Sequence, residues 1–342
     1  MNKIITFGEI LLRLKSPGFE RLFQTPNLEA TFGGAEANVA VSLAQFGMNA
    51  AFVTVLPKNE IANASIMELN KYGVDTSSIQ FGEGRVGIYF LETGANQRPS
   101  KVVYDRSGSS IALATSEKLD WNEIFKNAEW FHISGITPAL SKSAANLSIQ
   151  AVKIAKEKGL TVSCDLNFRA KLWKYGISAQ EIMGEIIKYT DICIANEEDI
   201  QKALGINFDK IDGPEKDFSA RYQILSEELL KRFTNIQVTA ITLRESKTAN
   251  YNDWSACMHD TENFFISRRY SVYDIVDRIG SGDSFVAGLI YGLNHYDNKQ
   301  DALEFATAAS CFKHSIIGDF NRVSISEVQA IMSGNVSGRV QR

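Results

Sequence analysis

Two glycines and an acidic residue in the C-terminal third of the chain form the segment with the clearest chemical potential. Gly280-Ser281-Gly282-Asp283 precedes a stretch, 284–294, whose apolar residues recur at the spacing of a helix. Glycines leave main-chain N–H groups uncovered, and a helix N-terminus carries a partial positive charge. Such a turn could stabilise a developing anion while Asp283 accepts a proton from an attacking hydroxyl, as phosphoryl transfer requires. Taken alone, a capped turn is the more common explanation of this pattern.

A second glycine pair lies near the N-terminus, in Gly33-Gly34-Ala35-Glu36-Ala37-Asn38. We predict a helix over 38–46 that ends at Gly47, and no strand directly before the glycines. Paired glycines let a ligand approach the main chain, and the Asn38 amide can bind a polyol, although helix capping alone is the simpler explanation. Neither G-x-G-x-x-G at this pair nor G-x-x-x-x-G-K-[ST] anywhere occurs, which disfavours a dinucleotide fingerprint and a P-loop.

The bulk composition excludes several other classes of protein. Of 342 residues, 44% are apolar and 22% charged, as in a globular protein with a full core, and the net charge is -4. No basic field points to nucleic acid or an anionic membrane. The 4 cysteines form no C-x-x-C pair, and the 4 histidines have no zinc-ligand spacing. We expect buried free thiols, no signal peptide and no transmembrane segment, and hence a soluble cytoplasmic protein.

Short apolar runs alternate with amphipathic stretches, which predicts an α/β fold with a mostly parallel sheet covered by helices. Nearly continuous apolar character indicates strands buried on both faces. The predicted strands are 4–8, 51–55, 130–134, 161–166, 191–195 and 236–243, and the predicted helices include 38–46, 143–158 and 302–316. Because no linker or repeat divides the chain, we predict a single domain, 1–342.

Two segments depart from this alternation. Residues 11–32 follow the first strand without a helical pattern, and 85–106 have the alternation and polar turn of a β-hairpin. We predict that segments of about 11–32 and 85–108 build a small β-sheet that acts as a lid.

Polar residues follow several of the predicted strands. They are Gly8-Glu9, Ser134-Gly135, the segment 165–169, Asn196 and the segment 242–244. Since ligands bind beyond the carboxyl ends of strands in open α/β sheets, we expect these residues to meet at one reactive edge.

The two glycine motifs, in this order and at this separation, resemble those of the ribokinase-like (PfkB) carbohydrate kinase family. The resemblance covers nearly the whole chain and includes 5–9, 33–38, 71–75, 196–199 and 277–283. It implies a ribokinase-like three-layer α/β/α fold, ATP as donor, Mg²⁺, and Asp283 as general base. It also implies that the main-chain N–H groups of Gly280, Ser281 and Gly282 form an anion hole, and it leaves open a monovalent cation as a further cofactor.

Within that family the chain is most similar to the 2-keto-3-deoxygluconate kinases. The similarity lies in 33–38, in Tyr89 and 104–106 of the hairpin, in 165–169, and in 313–314 with 318–321. The implied substrate contacts are Gly33, Gly34, Asn38, Tyr89, Tyr104, Arg106, Arg169 and Asp283. A sugar acid needs a cation, and Arg106 and Arg169 could hold its carboxylate bidentately; the alternative is that both arginines are surface or core-tethering residues.

The implied nucleotide contacts come from other strand ends and turns. They are Asn167, Asn196, Thr242, Arg244, Ser246, Gly280, Gly282 and Lys313. Lys313 would lie near the ring of ATP, with a position on the helix surface as the alternative. Where the family has N-x-x-E, this chain has Asn196-Glu197-Glu198-Asp199. The resemblance therefore places Asn196 and the shorter Asp199 near Mg²⁺ through water, unless Glu198 shares that role.

Three hypotheses follow for the function. The first is a kinase that converts 2-keto-3-deoxygluconate to its 6-phosphate. The second is another sugar kinase, such as a fructokinase, whose neutral sugar would leave Arg106 and Arg169 without a partner. The third is a non-catalytic sugar-binding protein, against which the intact 280–283 motif argues. Because a lid sheet has exposed edges, we also expect a homo-oligomer, dimeric or larger.

Overall fold

Strands and helices alternate along residues 3–207 and 218–334, which the computed structural model describes. In chain order the strands are β1 (Lys3–Phe7), β2 (Leu11–Lys15), β3 (Glu29–Gly33), β4 (Asn49–Val53), β5 (Val55–Leu56), β6 (Gln80–Phe81), β7 (Gly87–Glu92), β8 (Lys101–Asp105), β9 (Ala128–Ser134), β10 (Thr161–Asp165), β11 (Ile192–Ala195), β12 (Val238–Thr248), β13 (Tyr251–His259), β14 (Phe264–Ile266) and β15 (Tyr270–Val272). The helices are α1 (Ala35–Gln45), α2 (Glu60–Lys71), α3 (Ser110–Leu113), α4 (Trp121–Ile124), α5 (Lys142–Glu157), α6 (Ala179–Ile187), α7 (Glu197–Leu204), α8 (Phe218–Arg232), α9 (Ser281–His295), α10 (Lys299–Lys313) and α11 (Ile325–Met332).

A 9-stranded sheet forms the centre of the described residues, in the order β14-β13-β12-β11-β10-β9-β1-β4, with β15 also paired to β13. The strands from β12 to β4 are parallel, whereas β13, β14 and β15 extend one edge in antiparallel pairing. All the predicted strands lie in this sheet, with shifted boundaries. The predicted α/β class with a mostly parallel sheet is therefore confirmed.

The core is divided between the two faces of this sheet. Neighbouring residues of β9 show the division, because Trp130 belongs to the buried cluster that includes Phe285 of α9 and Phe305 of α10, whereas Phe131 belongs to the cluster that includes Leu147 of α5. This alternation is the two-residue period of a strand buried on both faces. Burial of each such aromatic side chain contributes about 1.5–3 kcal/mol. Helices are thus held on both faces, as the three-layer prediction requires.

Four strands form a second, smaller sheet in the order β3-β2-β7-β8. β2 pairs in parallel with β7, and β7 pairs with β8 as the predicted antiparallel hairpin. Arg13 is the register neighbour of Tyr89, which in turn is the neighbour of Tyr104. These three polar side chains therefore lie side by side on one face. Movement of this sheet as a lid stays a prediction.

Two element boundaries near the strand ends differ from expectation. α1 begins at Ala35 and directly follows β3, so the expectation of no strand before the glycine pair is wrong. A Cβ at Gly34 would collide with the carbonyl oxygen of Glu9, so glycine is needed for this abrupt change from strand to helix. β12 continues to Thr248, past the predicted end at 243, because it pairs with antiparallel β13. The outer half of β12 is exposed and lacks the apolar run used to find strands.

All four cysteines are free thiols, and Cys164, Cys193 and Cys257 are buried, as expected. Burial raises the pKa of these three thiols, so they stay protonated. None of the helices in the described residues combines the length and the apolar character needed to cross a bilayer.

Candidate active site

A cavity of about 450 Å³ opens between the carboxyl edge of the main sheet and the small sheet. Its walls come from the ends of β10, β11 and β12, from the first turns of α1, α7 and α9, and from β7 and β8. The sequence-predicted residues that line it are Gly34, Asn38, Tyr89, Tyr104, Arg106, Asn167, Arg169, Asn196, Asp199, Thr242, Arg244, Gly280, Ser281, Gly282 and Asp283. Gly33, Ser246 and Lys313 lie outside this lining.

The Gly280 turn leads directly into α9, with Asp283 in the first helical turn. Gly280 has φ 83°, a left-handed conformation that favours glycine, and a Cβ there would collide with the carbonyl oxygen of Asp319. The N–H of Ser281 makes a long bond of 3.4 Å to the carbonyl oxygen of Arg278. Gly282 and Asp283 lie at the positive end of the helix dipole, where an anion is favoured.

The carboxylate of Asp283 is held in place by Asn38, whose Nδ2 donates to Oδ2 at 2.6 Å. Burial raises the pKa of Asp283 to about 6, although the bond from Asn38 opposes the shift and nearby Asp319 adds to it. A carboxylate with this pKa is ionised at neutral pH and is a better proton acceptor than an ordinary aspartate. The geometry therefore suits a general base.

Asn38 lies inside α1 and not at its cap, which is Gly34. Its Oδ1 accepts a hydrogen bond from the N–H of Gly34 at 3.2 Å, so one amide group contacts both the glycine loop and Asp283. Two residues earlier, Glu36 Oε1 accepts bonds from the N–H and the hydroxyl of Ser134 at 3.1 and 2.7 Å. These bonds fix the start of α1 against the end of β9.

Arg13, which the sequence analysis did not single out, is the centre of a buried ion network. Its side chain is 1% exposed; Nη1 donates to Asp319 Oδ1 at 2.6 Å, and Nη2 donates to Asp277 Oδ2. Tyr89 Oη donates to the same Asp319 oxygen at 2.6 Å. Asp277 Oδ1 accepts from the N–H of Ile279 at 3.1 Å, next to Gly280. The network thereby joins the small sheet to the turn before α9.

Arg106 is also paired within the protein. Its Nε donates to Glu9 Oε2 at 2.7 Å, Nη2 donates to the same oxygen, and the guanidinium lies 5.2 Å from the ring centroid of Tyr104. Glu9 Oε1 is buried and has no hydrogen-bond partner among the described residues. Since Glu9 and Arg106 both line the cavity, the pair offers a ligand an acceptor oxygen beside guanidinium donors.

Arg169 lies exposed at the rim of the cavity, where its Nη1 donates to the carbonyl oxygen of Phe168 at 2.9 Å. Burial raises the pKa of Asp199 to about 6, and the positive charge of Arg169 opposes that shift. The guanidinium of Arg169 is accessible to a ligand, in contrast to the buried Arg106.

The ends of β10, β11 and β12 are joined by short polar contacts. Asn196 caps α7, since its Oδ1 accepts from the N–H of Asp199 at 2.8 Å. Asp199 Oδ1 accepts from the N–H of Phe168 at 3.0 Å, and Thr242 Oγ1 lies 3.4 Å from the carbonyl oxygen of Ala195. Asn196 and Asp199 were both predicted near Mg²⁺. One side-chain oxygen of each therefore already accepts a hydrogen bond from a main-chain N–H group.

Two arginines bring positive charge to the β12 side of the cavity. Arg244 is exposed, whereas Arg278 is half-buried and donates through Nη2 to the carbonyl oxygen of Ala249. Burial lowers the pKa of Arg278, and the charge of Arg244 lowers it further. Two cations that repel each other beside a cavity favour an anionic ligand there.

Three predicted contacts lie away from the cavity wall. Ser246 is on the exposed half of β12, opposite Asn252 of β13. A Cβ at Gly33 would collide with the carboxylate of Asp319, so this glycine makes room for an acidic residue that does line the cavity. Lys313 is 0% exposed, so its alternative position on the helix surface is wrong.

Acidic residues concentrate negative charge where a cation would fit. Burial raises the pKa of Asp165 well above its usual range, and the charges of Asp199 and Asp283 raise it further. In the part of the chain that the structure describes, no three His, Cys, Asp or Glu residues are grouped so as to hold a metal directly. These residues fit Mg²⁺ that keeps water and phosphate oxygens as ligands.

The charged residues of the cavity and its base that were not assigned from the sequence include Glu9, Arg13, Asp165, Asp277, Arg278 and Asp319. All except Arg13 stand in segments that the resemblance already covers. Their charge and their position in those segments could therefore have indicated that they belong to the site. Arg13 offered none, because it stands in the ordinary-looking strand sequence of β2.

Known proteins resemble this chain over nearly its whole length. The model of the pfkB family carbohydrate kinases matches residues 1–318. A solved 2-dehydro-3-deoxygluconokinase from Thermotoga maritima is 49% identical, with a TM-score of 0.91, over 98% of this chain and 100% of that one. The 2-dehydro-3-deoxygalactonokinase of Haloferax volcanii is 30% identical over 336 residues, 98% of either protein. Fructokinase-2 of Solanum lycopersicum is 28% identical over 289 residues, 84% of this chain and 80% of that protein. The ribokinase-like fold and the predicted sugar kinase are thereby confirmed, and the chain belongs to the pfkB family of carbohydrate kinases.

Proposed function

We propose that this kinase transfers the γ-phosphoryl group of ATP to the primary hydroxyl of 2-keto-3-deoxygluconate, which yields the 6-phosphate. The observation that carries the proposal is the bond between Asn38 and Asp283 inside the cavity. It joins the glycine loop, where a sugar would bind, to a carboxylate with a pKa of about 6 at the start of α9. The two relatives named for 2-dehydro-3-deoxy sugar acids support the choice of substrate class.

In this mechanism Asp283 accepts the proton of the sugar hydroxyl while the hydroxyl oxygen forms a bond to the γ-phosphorus. The bond from phosphorus to the ADP oxygen breaks, and the electron pair leaves with ADP. The N–H groups of Gly280–Gly282 stabilise the charge of the transferred group. Asp165, Asn196 and Asp199 would hold Mg²⁺ through water, and the bound ion would supply positive charge against the phosphates.

The cations around the cavity fit the carboxylate of a sugar acid. Arg169 is exposed and accessible, and an arginine can bind a carboxylate through two parallel hydrogen bonds. Arg106 uses Nε and Nη2 for Glu9, which leaves Nη1 for a ligand. Arg169 is therefore the main carboxylate ligand, and the Glu9–Arg106 pair binds hydroxyl or keto oxygens.

A neutral ketose such as fructose is the second candidate substrate. The specific observation in its favour is that Arg106 is already neutralised by Glu9, so only Arg169 would lose a partner with a neutral sugar. The fructokinase relative is consistent with this possibility for a chain of this family.

A coupled assay of ADP release over a panel of sugars tests the proposal. The panel contains 2-keto-3-deoxygluconate, its galactonate-derived epimer, fructose and ribose, and Asp283→Asn serves as the control for contaminating kinases. We expect the highest kcat/KM for the 2-keto-3-deoxy acid and a kcat lower by roughly 10²–10⁴-fold in Asp283→Asn. Turnover of fructose without turnover of either acid would overturn the substrate assignment.

Arg169→Ala separates the two substrate classes further. We expect KM for the acid to rise by roughly 10- to 100-fold, since a hydrogen bond to a charged group contributes about 1.5–3 kcal/mol. KM for a neutral sugar should change far less. Equal effects on acid and neutral sugars would show that Arg169 does not bind the carboxylate.

A further inference from the structure

Lys313 is a lysine in the last turn of α10 that is wholly buried beneath the active site. Its Nζ donates to the carbonyl oxygen of Ile316 at 2.9 Å and lies 3.5 Å from the carbonyl oxygen of Asp277. The ammonium is therefore held by main-chain oxygens, in the manner of a small desolvated cation. Burying an ammonium costs several kcal/mol, so its presence here calls for an explanation that simple packing does not give.

The side chain of Lys313 runs directly under the turn that precedes α9. Its Cε would lie 3.4 Å from a Cβ at Gly280. Asp277, whose carbonyl oxygen it approaches, begins this turn, and the Asp277 carboxylate accepts from the N–H of Ile279 at 3.1 Å. A second residue of α10 also contacts this turn, because Ser310 Oγ donates to the carbonyl oxygen of Ser281 at 2.7 Å.

The charges around Lys313 favour its ammonium form, because the carboxylates of Asp277, Asp319 and Asp283 all act on it. Asp277 and Asp319 bring two carboxylates, and Arg13 supplies one cation between them. Burial lowers the pKa of Lys313 to about 8, with Asp277 and Asp319 opposing the shift, so the group remains mostly charged at neutral pH. Without it, these carboxylates would face Arg13 as their one nearby buried cation, beside the place where a phosphoryl group must bind.

We propose that Lys313 is a positioning residue that serves as a built-in monovalent cation for the anion hole. Its ammonium joins the carbonyl oxygen that begins the Gly280 turn to the loop after α10, and it keeps the N–H groups of the turn directed at the transferred phosphoryl group. The inference rests on the proposed function in that it assumes phosphoryl transfer at Gly280–Asp283. It also answers the question of a further cation, because an enzyme built in this way needs no K⁺ or Na⁺ from solution.

Lys313→Met tests this role, because methionine has a similar length and no charge. We expect kcat to fall roughly 10- to 100-fold, somewhat less than the loss on removing a direct oxyanion donor, with KM for the sugar nearly unchanged. Lys299→Met is the matched control on the same helix, since Lys299 pairs with Asp260 at the other end of α10. It should keep the wild-type kcat. A wild-type kcat in Lys313→Met would overturn the proposal.

Rescue by small amines separates an ionic role from a packing role. Lys313→Ala leaves a space that ammonium or methylammonium can enter, and either should restore kcat severalfold in a saturable way, whereas tetramethylammonium should not. A low kcat that neither amine raises would show that the side chain acts by packing alone, which contradicts the proposal.

The wild-type enzyme provides a test that does not depend on a variant folding. We expect the same kcat when K⁺ and Na⁺ are replaced by tetramethylammonium, and a strict need for either ion would overturn the inference. These assays use whichever sugar the panel shows to be phosphorylated. If the sugar assignment is wrong, only the results of the sugar-panel assay differ from expectation. If the role of Lys313 is wrong, the results of amine rescue and of cation replacement differ.

Discussion

At the small-sheet end of the cavity, the charged side chains are buried and ion-paired, whereas at the β12 end one arginine is exposed and one is half-buried. Arg13 and Arg106 belong to the first group, with 1% and 8% of their surface exposed and carboxylate partners in hydrogen-bond contact. Arg244 and Arg278 belong to the second, where the two cations repel each other. The small-sheet end is thus assembled before any ligand binds, whereas at the other end neither arginine forms an ion pair with another described residue.

This difference suits two ligands with different demands. In the proposed mechanism a small sugar is placed so that one hydroxyl faces Asp283, and a rigid set of paired groups does this with little reorganisation. A triphosphate brings its own charge and can order exposed side chains when it binds. Substitutions at the small-sheet end should therefore affect stability or catalysis strongly, and those at the β12 end should have smaller effects on nucleotide binding.

The largest effect on stability is expected for Arg13→Met. Removing this guanidinium leaves Asp277 and Asp319 buried without their cation, and breaking such a buried pair costs about 3–5 kcal/mol of unfolding free energy. Lys15→Met on the same strand is the control, because its partner Glu29 is exposed, and the expected cost is about 1 kcal/mol or less. Urea denaturation measures both, and equal costs for the two variants would refute the contrast.

A smaller effect, about tenfold per pH unit, is expected on kcat/KM below pH 6. The pKa of Asp283 is raised to about 6, and only the ionised form can accept a proton, so activity should fall as the pH drops below 6 and level off above it. Phosphate groups also titrate near pH 6, so Asn38→Ala is the control. The hydrogen bond from Asn38 stabilises the ionised carboxylate of Asp283. Its loss should therefore move the inflection of the pH profile to higher pH only if that inflection reports the titration of Asp283.

The parts of this molecule that the sequence predicted best are those where one physical rule acts alone. Buried parallel strands are apolar throughout, and the Gly280 turn needs a glycine because its φ is 83°. The strand ends could therefore be placed at one edge, with Asp283 beside them. Resemblance to a family then added the residues of the hairpin.

Arg13 could not be predicted, because tertiary contacts reverse the pattern of its strand. In Leu11–Lys15 the two-residue alternation buries Arg13 and Lys15 while Leu12 and Leu14 are more exposed. A sequence pattern predicts that a polar residue at such a position faces solvent, unless its distant partners are known. Those partners, Asp277 and Asp319, lie 264 and 306 residues away in sequence. The burial of Lys313 was not predicted either, since its partners are carbonyl oxygens that side-chain patterns do not reveal.

The smallest predicted effect concerns Arg244→Ala at the β12 end. Because Arg244 is exposed, we expect KM for ATP to rise only about two- to fivefold, with kcat for the sugar nearly unchanged. Lys247→Ala, on the same strand but outside the cavity lining, should leave both constants at their wild-type values. Initial rates at varied ATP and at raised salt measure the difference, which should shrink as salt screens an exposed charge. A large fall in kcat in Arg244→Ala would mean that the β12 end is as pre-assembled as the small-sheet end, and the distinction between the two ends would then be wrong.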